Sequence, residues 1–129
     1  RMERLARRSP AECVGMILIS LPWPVSINRY LRRAGKIMHT TNEAKAYRRD
    51  VGWLCKGLDP FGNKRIAVHI SAFPPDNRKR DLDNVMKVLL DALMHSGLFT
   101  DDSQIDDLHI VRKQVRKNDG TVVVKITEI

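Results

Sequence analysis

Arg78-Lys79-Arg80-Asp81-Leu82-Asp83-Asn84, the apolar run from Val85 to Leu93, and Gly97-Leu98-Phe99-Thr100-Asp101-Asp102-Ser103-Gln104 make one stretch around which the rest of the chain is arranged. Leu82, Val85, Leu89 and Leu93 recur at helical spacing with Ala92 beside them. The run is therefore an amphipathic helix that buries one stripe and is stopped at Gly97. Asp81 occupies the N-cap position and Asp83 the first turn, where the positive end of the helix dipole favours carboxylates. Capping accounts for Asp81 at about 1 kcal/mol. It gives no reason for Asp83, Lys87, Asp101 and Asp102 to gather around the same helix.

Asp83 and Lys87 are four residues apart and share a helix face, and the segment after Gly97 is short enough to fold Asp101 and Asp102 back toward the helix or its partner strand. A helix pair between Asp83 and Lys87 would contribute only about 0.2–0.5 kcal/mol. Oxygen ligands grouped in this way suit Mg²⁺, which takes one or two carboxylates, keeps waters and completes its shell with a phosphate. A metal on a phosphodiester with a lysine beside it is the equipment of a nuclease.

The string Arg80-Asp81-Leu82-Asp83-Asn84, with Lys87, Asp91-Ala92-Leu93, Gly97 and Asp101-Asp102-Ser103-Gln104-Ile105, resembles the signature of the RusA-type Holliday junction resolvases. A second block, Leu21-Pro22-Trp23-Pro24 with Ser26, Asn28, Arg29 and Tyr30, resembles the opening of the same family, with Val25 where a third proline is often found. Two linked blocks are a specific signal; a lone Asp-x-Asp is not. The resemblance covers nearly all of residues 16–129. It implies a small homodimeric, Mg²⁺-dependent endonuclease that resolves four-way DNA junctions by paired nicks, with a sequence preference at the cut. It also implies Asp81, Asp83 and Asp102 as metal ligands, Asp101 as an alternate ligand or supporting neighbour, and Lys87 as the phosphate-facing cation.

The chain has 129 residues, with 23 Lys and Arg against 15 Asp and Glu, a net charge of +8 and a pI near 9.9. That size is one domain, and that charge calls for a polyanionic partner. Arg29, Arg32 and Arg33 form a basic run with Lys36, read as a mobile DNA-contacting loop, and Arg78, Lys79 and Arg80 form a second DNA-binding run beside the acids. No stretch approaches the run of about 18 apolar residues that a spanning helix needs, so no membrane partner is expected. Cys13 and Cys55 read as reduced, which points to the cytoplasm, and His39, His69, His95 and His109 are scattered without zinc-ligand spacing. Residues 1–15 are basic and lack a signal-peptide core, so they read as an arm or an upstream extension of a domain at 16–129.

Ile17, Ile19 and Leu21 share a strand face that ends at Pro22 and Pro24, and Trp23 between the prolines reads as a packing anchor. Thr40 and Glu43 form a capping-box pattern before a helix carrying Ala44, Tyr47, Val51, Leu54 and Leu58. Ile66, Val68, Ile70 and Ala72 alternate as a strand, with His69 on the opposite face as a structural residue. Residues 105–115 and 121–129 read as strands joined in a hairpin through Asn118-Asp119-Gly120, with Asp106 and Asp107 as surface charges. The order β-α-β-α-β-β describes a small α+β domain with a mixed sheet and helices packed on it.

Two other readings compete. A non-catalytic DNA-binding module suits the charge, but it gains nothing from carboxylates placed beside phosphate contacts. An Mg²⁺ nuclease acting on flaps or other branched DNA would use the same acids. Paired cuts on a four-way junction need two copies of the chain, and Leu98 and Phe99, or the outer face of a strand, are the apolar residues expected at their interface.

Overall fold

The computed structural model describes residues 15–26 and 41–129 in full and the backbone of residues 31–34 and 37–40. Arg29 and residues 1–14 of the expected arm lie outside the described residues. The elements are β1 (Met16–Pro22), β2 (Leu31–Ala34), β3 (Ile37–Thr40), α1 (Asn42–Cys55), β4 (Ile66–Phe73), α2 (Leu82–His95), a 3-10 turn (Asp102–Gln104), β5 (Ile105–Arg112) and β6 (Thr121–Glu128). The expected α+β order is present, with β2 and β3 inserted after β1.

Four strands form a mixed sheet in the order β1-β6-β4-β5; β6 pairs antiparallel with both β1 and β4, and β5 pairs parallel with β4. Alternation decides its inner face. Ile17, Ile19, Leu21, Ile66, Val68, Ile70, Ala72, Val122, Val124 and Ile126 are all buried there. The stripes of α1 (Ala44, Tyr47, Val51, Cys55) and α2 (Val85, Val88, Leu89, Leu90, Ala92, Leu93) complete the core. Each fully buried Leu, Ile or Val contributes about 1.5–3 kcal/mol relative to exposure. Among the described residues no helix is long and apolar enough to cross a membrane.

Four expectations are corrected. The expected hairpin between the last two strands does not form, because β4 lies between β5 and β6. The unit β4-α2-β5 returns β5 parallel to β4 on one side. Residues 113–120 then cross the end of β4: the amides of Lys113, Arg116 and Asn118 donate to the carbonyls of Ala72, Pro74 and Pro75, and β6 enters on the far side. Asn118 has φ 58°, so the turn signal is a real reversal of the chain, but it joins strands that are not neighbours.

The basic run around Arg32 and Arg33 is not a loop throughout. Leu31–Ala34 pairs antiparallel with Ile37–Thr40 as a two-stranded ribbon. The cap of α1 is Thr41, whose Oγ1 accepts from the Ala44 amide at 3.2 Å, while Thr40 ends β3. Leu98 and Phe99 are buried in the chain's own core, so they cannot cover a partner.

Candidate functional site

β4 delivers the chain through Pro74 and Pro75 to the segment that precedes α2, and that segment is tied down by its own side chains. Asp76 accepts from the Arg78 amide at 3.0 Å and pairs with Arg80 Nη2 at 2.8 Å. Arg80 also donates to the carbonyls of Asp76 and Arg78 and stands 5.5 Å over the Trp23 ring, while Arg112 Nη2 donates to the Arg80 carbonyl at 2.8 Å. These bonds hold the Asp76 carboxyl below the usual carboxylate range, with the Arg78 amide the largest cause.

Arg80 therefore fastens the segment, and Trp23 is the expected anchor. Arg78 and Lys79 are left exposed. A cleft of about 660 Å³ opens here, lined by Trp23, Ser26, Arg78, Lys79, Asp81 and Asn84 among others.

Asp81 has the extended backbone of an N-cap (φ −85°, ψ 127°), yet its side chain makes no capping bond. The carboxylates of Asp81, Asp83 and Asp102 and the amine of Lys87 make no hydrogen bond or ion pair among the described residues. Asp83 and Lys87 share a helix face without pairing, so the modest gain of a helix ion pair does not account for them.

At the other end of α2, Gly97 (φ +85°) turns the chain, and Leu98 and Phe99 insert into the core. The loop is then held by Gln104, buried to 4 % exposure. Its Oε1 accepts from the amides of Thr100 and Asp101 at 2.9 Å each, and its Nε2 donates to the carbonyls of Gly62 at 2.9 Å and Lys64 at 2.6 Å. Arg65 adds a bond to the Ser103 carbonyl at 3.0 Å and a bidentate pair with Asp106. Gln104 was quoted in the sequence motif without a role, and Arg65 was not singled out at all. The Asp101-x-x-Gln104 spacing, a capping box in the structure, was the available signal for the first.

Neighbouring acids in this loop have opposite environments. Asp101 accepts from the Ser103 hydroxyl and, at 3.0 Å, from the Ser103 amide, and these bonds hold its carboxyl below the usual range. Asp102 is pushed up, first by partial burial and then by the Asp101 charge. Asp101 is thus engaged as a cap, whereas Asp102 faces a second cleft of about 440 Å³ with Lys87, Asp91 and Asp106. Asp91 is also pushed up, mainly by burial, with His95 opposing and Asp102 reinforcing the shift. Asp91 bridges the helices through Arg48 Nη2 at 2.7 Å.

Within one chain these residues line two clefts, Asp81 the first and Lys87 and Asp102 the second, which are candidate half-sites. Asp81 and Asp83 start α2, and Asp102 reaches the helix at the level of Lys87 and Asp91. Asp91 lies two turns beyond Asp83, roughly 12 Å along the axis. In chemistry the set fits a hard divalent cation: the donors are carboxylate oxygens without partners among the described residues, and burial and the Asp101 charge disfavour the charged form of Asp102. One group of three metal-type donors does converge among the described residues, and it is elsewhere. His69, Asp107 and His109 place one donor atom each within 4.8 Å of the others, although their sequence positions show no ligand spacing.

The family profile described as Endodeoxyribonuclease RusA matches residues 22–127. The crossover junction endodeoxyribonuclease of Enterobacteria phage HK97 is 40% identical over 111 residues, covering 84% of this chain and 92% of that protein. The protein of the same name from Enterobacteria phage 82 is 40% identical over 113 residues, covering 86% and 93%. Its namesake in Escherichia coli K12 is 39% identical over 113 residues with the same coverage. The two sequence blocks, the basic α+β domain between them and these matches have one meaning: the chain belongs to the RusA family of endodeoxyribonucleases.

Proposed function

We propose that this chain is a Mg²⁺-dependent, structure-selective DNA endonuclease that resolves four-way junctions by paired nicks as a homodimer, in the recombination and repair of cytoplasmic DNA. The observation that carries the reading is a set of three carboxylates, Asp81, Asp83 and Asp102, that have no partner among the described residues around a helix that also presents a lysine unpaired among them. A structural role would have consumed them. The relatives' printed name, crossover junction endodeoxyribonuclease, supports the choice of a branched substrate over a linear one.

Asp81, Asp83 and Asp102 would hold the ion, with Asp101 supporting Asp102 from its cap. Bound there, Mg²⁺ supplies neutralisation of the scissile phosphate and acidification of a water. Lys87, on the face of α2 between the half-sites, stabilises charge that grows on the phosphate oxygens. Arg78 and Lys79, with Arg29, Arg32 and Arg33, contact the backbone, and Arg80 keeps Asp81 in position through Asp76 and Trp23. Asp81 and Asp102 line different clefts of one chain, which is consistent with a homodimer in which a two-fold partner brings its Asp102 to this chain's Asp81 and Asp83, and the reverse, so that two complete sites arise together.

The test is cleavage of a four-way junction, a flap and a linear duplex of matched sequence in Mg²⁺. Symmetrical nicks in opposed strands of the junction are expected, with little cutting of the other two. Preferred cutting of the flap would replace the junction reading with that of a flap nuclease. Tight binding of all three without incision would leave only a DNA-binding module.

A further inference from the structure

The outer face of the sheet, away from α1 and α2, carries the one convergent set of metal donors among the described residues. His69 on β4 lies directly across from His109 on β5 in the parallel register, and Asp107 precedes His109 by two residues, hence on the same face. The two imidazoles stand with ring centroids 4.5 Å apart, tilted by 59°. Both direct Nε2 at one carboxylate: His69 Nε2 is 3.3 Å from Asp107 Oδ2, and His109 Nε2 is 2.8 Å from Oδ1. All three side chains are about half exposed, so an ion can enter from solvent and keep waters in its remaining positions.

We infer that His69, Asp107 and His109 form a binding site for a first-row transition dication, Zn²⁺ being the type, separate from the acids around α2. The donor chemistry separates the two. Imidazole nitrogens select Zn²⁺, Ni²⁺ or Cu²⁺, whereas an all-carboxylate set with retained waters selects Mg²⁺. Each imidazole can turn its Nε2 lone pair inward by carrying its proton on Nδ1, and the carboxylate then serves as the third ligand of a three-protein-ligand site with an open position. The opposing charge on this face is Lys125 of β6, which pairs with His69 across the sheet. It is an exposed, flexible side chain that can carry its ammonium away into solvent.

An ion here clips β4 to β5. β4 leads into the segment that carries Asp81, and β5 begins where the turn carrying Asp102 ends. The clip would therefore steady both half-sites from the face opposite the DNA chemistry.

The experiment titrates ZnCl₂ into the 129-residue chain in saturating Mg²⁺, following heat, melting temperature and the imidazole NMR signals. One Zn²⁺ per chain is expected, with a rise in Tm and with His69 and His109 signals shifting together while His95 stays. His109→Ala should lower Zn²⁺ affinity by about tenfold or more and remove the Tm rise. Asp83→Asn should change neither. Both histidines are exposed, so the variants are expected to fold, and an unchanged Tm without zinc checks this. Equal Zn²⁺ affinity in wild type and His109→Ala, a loss confined to Asp83→Asn, or no binding would each overturn the site.

Discussion

Asp81 has the backbone of a cap and the residue type of a cap, yet its oxygens bond to nothing in the helix it begins. The proposed metal role gives a reason for a carboxylate there that capping does not. Asn is as good a cap as Asp, so Asp81→Asn should change the free energy of urea unfolding by no more than about 0.5 kcal/mol. Incision of a junction in Mg²⁺ should fall by about a hundredfold or more, since a charged ligand is lost. A variant that cuts normally while losing stability would make Asp81 a cap and nothing else. The contrast with Asp101 is instructive: it looks equally acidic in the sequence, but it is held as a carboxylate by Ser103 and closes its own turn.

Among the elements, the loop between α2 and β5 depends most on one side chain. Gln104 satisfies two amides and two carbonyls from within the core, and nothing else among the described residues reaches all four. Gln104→Ala removes four part-buried hydrogen bonds, although the Thr100 amide keeps its bond to the Gly62 carbonyl at 3.2 Å, and should cost about 1–3 kcal/mol in urea unfolding. Incision should fall further than the unfolded fraction explains, because Asp102 loses the turn that aims it at the second cleft. A stability loss below about 1 kcal/mol would mean that water replaces the amide. At the opposite end of the sheet, Gly120 answers a different need. A Cβ there would meet Pro75 Cδ at 2.8 Å and Trp23 Cβ at 3.0 Å, so the crossing over β4 is closed to larger residues.

For the whole molecule, the decisive feature is that Asp81 and Asp102 line different clefts along α2. If two chains share their acids, co-expressed Asp83→Asn and Asp102→Asn chains complement each other. Their mixed dimer has one site with both defects and one with none. Each variant alone should be inactive on a closed-circular cruciform plasmid, and the purified mixed dimer should nick one strand and give open circles. If each chain keeps its own site, the mixed dimer will be as inactive as its parents.

Periodicity alone determined the buried faces of β1, β4, β6, α1 and α2, because a core requires apolar side chains at the repeat of the element that carries them. The sequence also marked Asp81, Asp83, Lys87 and Asp102 as candidates by their clustering around one helix, while their lack of partners among the described residues came from the structure. Strand order was not legible. Asn118-Asp119-Gly120 announces a reversal, but local turn chemistry cannot say whether the returning strand pairs with its predecessor or passes over β4, and packing of α2 settles that. The ribbon of β2 and β3 hid within a run of arginines, and the burial of Leu98 and Phe99 depended on where Gly97 turned the chain. His69, Asp107 and His109 are far apart or unremarked along the chain, and only the parallel register of β4 on β5 sets their donor atoms together.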